Sequence, residues 1–296
     1  MPFIGEIAAL VAAFFWAFGA LLFETAGRRI GAFQTNLLRI LIGTILLSLT
    51  LYVQIGVFFP MDANQDNYFW LGLSGIVGLA IGDGALFYAI VILGPRLSTL
   101  LLSLAPPITT IVAWIFLGES LELLAVIGIV VTISAIAWVV SEKHGDEHIR
   151  GSKTLGVILG IVAALGQGIG VILAKVGLGG GIDSLSATLL RMLPATVALW
   201  GVAVLTRHAA PAVLALKDKY IALIVVIASI VGPFIGVWLS MVAVKYTETG
   251  IASTLLSTVP ILLIPMELII HKRAPSLRGI LGAILAVIGV GLIFMR

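Results

Sequence analysis

Apolar residues run along this chain in blocks of about 20, the length an α-helix needs to cross the ~30 Å hydrocarbon core of a bilayer. Clusters of Gly, Pro and charged residues separate the blocks. Read against those breaks, the pattern predicts helices over about 4–25, 33–56, 69–92, 96–117, 123–141, 154–177, 185–206, 220–243, 250–270 and 277–295. A membrane barrel would instead alternate apolar and polar positions over segments of about ten residues. The expected class is therefore an all-α integral membrane protein with ten transmembrane helices. The longest polar stretch, "SEKHGDEHIRGSK" at 141–153, parts five helices from five.

The two groups of five resemble each other. "LVAAFFWAFG" from Leu10 parallels "IVAALGQGIG" from Ile161, which sets Trp16 against Gln167. "LLRI" and "LLRM" set Arg39 against Arg191. At a constant offset of 154, "IVGLAIG" at 76–82 meets "IVGPFIG" at 230–236, Ser103 meets Ser257, Pro106 meets Pro260 and Gly128 meets Gly282. A duplication is implied, with repeats at 1–141 and 154–296 and a polar linker at 142–153. Five spans is an odd number, so the second copy enters the membrane from the opposite side and the repeats are inverted. Inverted halves have two nearly equivalent arrangements, one open to each side, which is the geometric basis of alternating access.

Composition agrees with the pattern: 60% of the 296 residues are hydrophobic and 10% charged, against about 25% charged in a soluble domain. The formal net charge is +3, but the basic residues are scattered through inter-helix loops and form no patch for nucleic acid. Loops 1-2, 3-4, 5-6, 7-8 and 9-10 with their flanks hold 12 Lys and Arg, whereas the opposite face holds only Lys245 and Arg296. By the positive-inside rule the first set is cytoplasmic and both termini lie outside in a multi-pass cell-membrane protein. The first segment, "MPFIGEIAALVAAFFWAFGALLF", lacks a basic leader and reads as a retained helix, not a signal peptide. Cysteine is absent, which excludes disulfides, thiol catalysis and thiolate metal sites.

Ionisable groups at membrane depth are costly and are functional candidates by default. Asp83, between Gly82 and Gly84, lies mid-helix, where a carboxylate could bind a cationic substrate, couple transport to protons, or tie its helix to a neighbour. Arg39 and Arg191 could attract an anionic group, or pair internally, Arg39 with Glu24 or Glu267 for example. Trp16, Phe87, Tyr88 and Trp238 could form an aromatic wall, and Gln167 is unusual at mid-depth. Glu24 and Lys175 occupy equivalent repeat positions with opposite charge. Pro106 and Pro260 are expected hinge elements, and the pairs Gly78 with Gly82 and Gly232 with Gly236 permit close, sliding contacts. Glu267 and His271 share a helix face but lack a third ligand, so no metal and no cofactor is assigned. "GQGIG" at 166–170 lies within a span and follows no strand, and no "GxxxxGK[ST]" occurs. No nucleotide engine is expected.

The stretch "IGDGALFYAIVILGPRLSTLLLSLAPPITTIVAWIFLGESLELLAVIGIVV" and its echo from "GVWLSMVAVKY" onward resemble the two EamA domains of the drug/metabolite transporter superfamily. The telling features are Pro106, the "LGE" turn ending at Glu119, the glycine-rich fifth and tenth helices, and Arg39 repeated as Arg191. The resemblance implies a ten-helix inverted-repeat carrier, an exporter or exchanger of small metabolites such as amino acids. Its cavity is expected between helices 1, 3, 4, 6, 8 and 9. Two departures are a second-half turn, "IIHKRAPS", without an acid, and termini that many relatives keep in the cytoplasm. The expected partners are a small-molecule substrate, the lipid bilayer and protons as a coupling ion, with no nucleic acid. The competing classes are a non-transporting scaffold and an enzyme using Glu267 with His271.

Overall fold

The structure, a computed structural model, describes residues 3–61, 63–117, 120–142, 149–247, 249–271 and 276–295. Glu119 and the side chain of His271 lie outside the described residues. Among those described, 10 helices are long and apolar enough to span a membrane. The first repeat holds α1 (Ile4–Ile30), α2 (Ala32–Ile55), α3 (Gln65–Leu93), α4 (Pro95–Phe116) and α5 (Leu123–Val140). The second holds α6 (Lys153–Gly177), α7 (Ser184–Leu205), α8 (Lys219–Tyr246), α9 (Ile251–Ile270) and α10 (Leu277–Phe294). A short helix, Ala209–Ala215, joins α7 to α8.

Helix ends follow local chemistry. The first helix runs further than hydropathy alone predicts, to Ile30. Its last turn is held by Glu24 and Arg28, 2.7 Å apart at i and i+4. Gly31, at φ 97, then turns the chain into α2, a conformation that only glycine adopts without strain. Asn64 and Asn67 cap the start of α3 reciprocally, and Asp183 and Asp218 accept backbone N–H bonds at the starts of α7 and α8.

The pseudo-two-fold axis can be read from hydrogen bonds between equivalent positions. Thr44 on α2 and Thr196 on α7 stand at the same repeat register as Arg39 and Arg191. Their hydroxyl oxygens are 2.8 Å apart. Thr132 on α5 donates to the carbonyl of its own counterpart, Ala286 on α10, at 3.4 Å. The axis therefore passes through the α2–α7 and the α5–α10 contacts, and the other six spans surround the space between them.

Two pairs of spans are broken at matched places. The fourth consists of Pro95–Leu102 and Ala105–Leu117, and the ninth of Thr249–Leu256 and Val259–His271. Each break directly precedes a piece whose second residue is proline, Pro106 or Pro260, where the missing N–H costs least. In α3 and α8 the backbone widens to π-helix over Gly75–Gly82 and Ile230–Gly236. These are the "IVGLAIG" and "IVGPFIG" echoes, and such widenings concentrate at functional sites.

Glycine sets how closely the spans approach. A Cβ on Gly166 would stand 2.6 Å from the Cα of Gly82, and one on Gly170 would stand 3.0 Å from the Cα of Gly78. Ser74 Oγ donates to the Gly170 carbonyl at 2.6 Å and completes this α3–α6 seam. The matching α1–α8 contact is looser. A Cβ on Gly19 would stand 3.9 Å from Gly232, and the Trp16 indole fills the space against Gly236.

Candidate functional site

A cavity of about 980 Å³ occupies the middle of the molecule, bordered mainly by α1, α3, α4, α6, α8 and α9. Its wall is shared position by position between the repeats. Ser103 and Pro106 on α4 are answered by Ser257 and Pro260 on α9. Asp83, Leu86 and Phe87 on α3 are answered by Val237, Ser240 and Met241 on α8. The wall is largely apolar with a few converging polar groups, the usual make-up of a small-molecule site.

The cavity opens toward one membrane face. Where the lining reaches the face on which α1 begins and α10 ends, Lys175 and Met295 are exposed. Toward the opposite, basic face the lining residues Phe23, Phe87, Ile90 and Thr99 are buried. There the Phe23 and Phe87 rings meet at 4.7 Å. Ile261 and Ile264 of α9 pack against the buried cluster that includes Leu100 and Leu101 of α4. The terminal face is the mouth and the basic face is the floor.

Asp83 is central to the polar part of the wall. It accepts a hydrogen bond from Arg39 through one carboxylate oxygen and from Gln167 Nε2 through the other. Arg39 Nε also donates to Asn36 Oδ1 at 2.9 Å, and the guanidinium lies over the Phe87 and Phe23 rings at 4.6 and 5.6 Å. Arg39 and Asp83 are 4% and 6% exposed, so this is a buried ion pair with its remaining hydrogen-bonding groups largely satisfied. Asp83 falls at the end of the π-segment of α3, and Gly82 lets the backbone of α6 approach closely enough for Gln167 to reach it.

Trp16, Arg39, Asp83, Phe87, Gln167, Arg191, Pro106 and Pro260 all border the cavity. Trp238 does not: its ring packs beside Phe234 at 6.2 Å and against the α2–α7 core, because its register on α8 turns it away from the axis. Tyr88 is also outside the wall and is 45% exposed. The expected pairing of Arg39 with Glu24 or Glu267 is replaced by Asp83, and Glu24 is engaged by Arg28 on its own helix. Sequence reasoning missed Phe23 and Asn36. The Asn36 signal was its spacing three residues before Arg39 on one helical face; Phe23 left no signal, being one aromatic among many on α1. Among the described residues no three His, Asp or Glu side chains converge as metal ligands.

Inverted five-helix repeats around a midplane cavity define a membrane-carrier architecture. Residues 3–141 and 154–295 each match the EamA-like transporter family. The chain belongs to that family and is a multi-pass membrane transporter. No curated protein matches the chain. One solved structure, described only as "Crystal structure of protein", is similar at TM-score 0.67 and 17% identity, over 97% of this chain and 95% of that one. At that identity the likeness concerns the fold alone.

Proposed function

We propose that this protein is a secondary carrier that exports or exchanges a small metabolite by alternating access. The observation that carries the reading is the cavity, open at the terminal face, sealed at the basic face and lined by matched positions of two inverted repeats. With the basic face in the cytoplasm, the arrangement described is the outward-open one. Exchange of the roles of the two halves would open the floor and close the mouth. Trp16, Phe87, Gln167, Asp83, Arg39 and Arg191 are the proposed substrate contacts, and the breaks ahead of Pro106 and Pro260 are the proposed hinges.

Purified protein in preloaded lipid vesicles tests this reading. Saturable counterflow of at least one class among amino acids, organic acids, nucleosides, sugar phosphates and amines is expected. Failure of every class to exchange would leave a non-transporting scaffold.

Proton coupling is a second reading, favoured by one observation. Asp83 is the one acid in the cavity wall among the described residues. A coupled proton would have to displace Arg39 from it. Flux that keeps its pH dependence in Asp83→Asn would remove this reading.

A further inference from the structure

The two repeats carry the same arginine in unequal surroundings. Arg39 has an acid, an amide acceptor and two aromatic rings around it: Asp83, Asn36, Phe87 and Phe23. At the equivalent positions around Arg191 stand Val237, Thr188, Met241 and Ala174. Every counter-charge and aromatic face of the first site has been replaced by a group that cannot balance a cation.

Arg191 is nevertheless 3% exposed and borders the cavity. Its Nε is buried without a hydrogen-bond partner, and one terminal nitrogen meets only the Met241 thioether, a weak acceptor, at 3.9 Å. The one acid in the wall among the described residues is Asp83, which already serves Arg39 and Gln167. One carboxylate cannot neutralise two guanidinium groups. Among the described residues the cavity thus holds a desolvated cation with no counter-ion of its own, and leaving such a charge unpaired is costly.

We infer that the missing counter-ion is the substrate, an organic monocarboxylate whose head binds Arg191 and whose apolar body lies along Trp16, Leu86 and Phe87. A guanidinium matches a carboxylate with two parallel hydrogen bonds, and the single orphan charge matches a single anionic group. Asp83 already accepts from Arg39 and Gln167, so among the described residues the wall holds no further acid to pair with an ammonium group. An anion is preferred over the corresponding amino acid, and over an amine. The inference deepens the carrier reading of the same cavity and rests on it for transport, though not for binding.

The test is calorimetric binding to the full-length purified protein with four matched probes: 3-phenylpropanoate, 3-phenylpropanamide, phenylalanine and phenethylamine. The carboxylate is expected to bind about tenfold or more tightly than the other three. Arg191→Gln is expected to lose about tenfold or more of that affinity, and Arg191→Lys to lose less than Arg191→Gln, since it keeps the charge but not the two parallel hydrogen bonds. Because Arg191 is buried, a second variant leaves it in place. Val237→Asp rebuilds the Asp83 arrangement beside Arg191 and is expected to abolish carboxylate binding by supplying the counter-ion from within. Equal binding of amine or amide, no binding of the carboxylate at millimolar concentration, or unchanged binding in both Arg191→Gln and Val237→Asp overturns the inference. Carboxylate binding without flux in vesicles would remove the carrier reading and leave the anion site. Amine flux without carboxylate binding would do the reverse.

Discussion

Thr44 and Thr196 occupy the same position in the two repeats and are bonded to each other, hydroxyl to hydroxyl, at 2.8 Å. A contact between equivalent residues can only lie on the symmetry axis, so the pseudo-two-fold axis passes between α2 and α7. The chain has no cysteine, which makes this contact easy to probe. Thr44→Cys with Thr196→Cys is expected to crosslink on mild oxidation, because two side chains in hydroxyl contact bring their Cβ atoms within disulfide reach. Proteolysis within the 142–153 linker followed by non-reducing electrophoresis checks it, since the two halves should stay joined until reductant is added.

The α3–α6 seam makes a stability prediction. A methyl group at Gly166 would press on the Gly82 backbone, which cannot rotate aside as a side chain can. Gly166→Ala is therefore expected to destabilise the protein by about 1–3 kcal/mol. Gly201→Ala, where a Cβ meets nothing within 4 Å, is the control and should leave the protein no less stable. Parallel melting curves in detergent would settle the contrast, and equal losses would mean that the seam is not packed this closely.

Arg39 and Asp83 form a buried pair, and removing one partner leaves the other charge uncompensated. Asp83→Asn alone is expected to cost about 3–5 kcal/mol. Arg39→Gln combined with Asp83→Asn should cost clearly less than the sum of the two single changes. A double-mutant cycle on unfolding free energy measures this, and strict additivity would deny the pairing.

Orientation is open to direct labelling. With the basic face in the cytoplasm, a cysteine replacing Asp66 at the start of α3 should react with an impermeant maleimide on intact cells. A cysteine replacing Arg207, beyond the end of α7, should react only after permeabilisation. The opposite pattern would place both termini inside and make the cavity described here inward-open.

The hydropathy pattern gave away most of the architecture, because each span must satisfy its own backbone and carry an apolar surface to lipid, and both demands are local. Echoes such as "LLRI" with "LLRM" gave away the duplication and the matched arginines. What stayed hidden were distances across the fold. Asp83 and Arg39 are 44 residues apart, and nothing in either segment specifies that α2 and α3 place them together. The π-segments were equally invisible, since their widening depends on packing against neighbouring helices. Trp238 was misplaced toward the cavity for a related reason. Its aromatic character was plain, but one step of register decides between the axis and the α2–α7 core.

Two perfectly equivalent halves would make the outward and inward arrangements degenerate. In the proposed cycle the glycine seam of the present chain would lift that degeneracy. The backbones of α3 and α6 touch through Gly82, Gly78, Gly166 and Gly170, whereas at the matched positions of α1 and α8 the Trp16 indole stands against Gly236. The mirror arrangement would ask α1 and α8 to nest as closely as α3 and α6 do here, and the indole occupies that room. In the proposed alternating-access cycle this asymmetry would favour one side of the membrane before any substrate or gradient acts, and the bulk of a single side chain, Trp16, would help to set the preference.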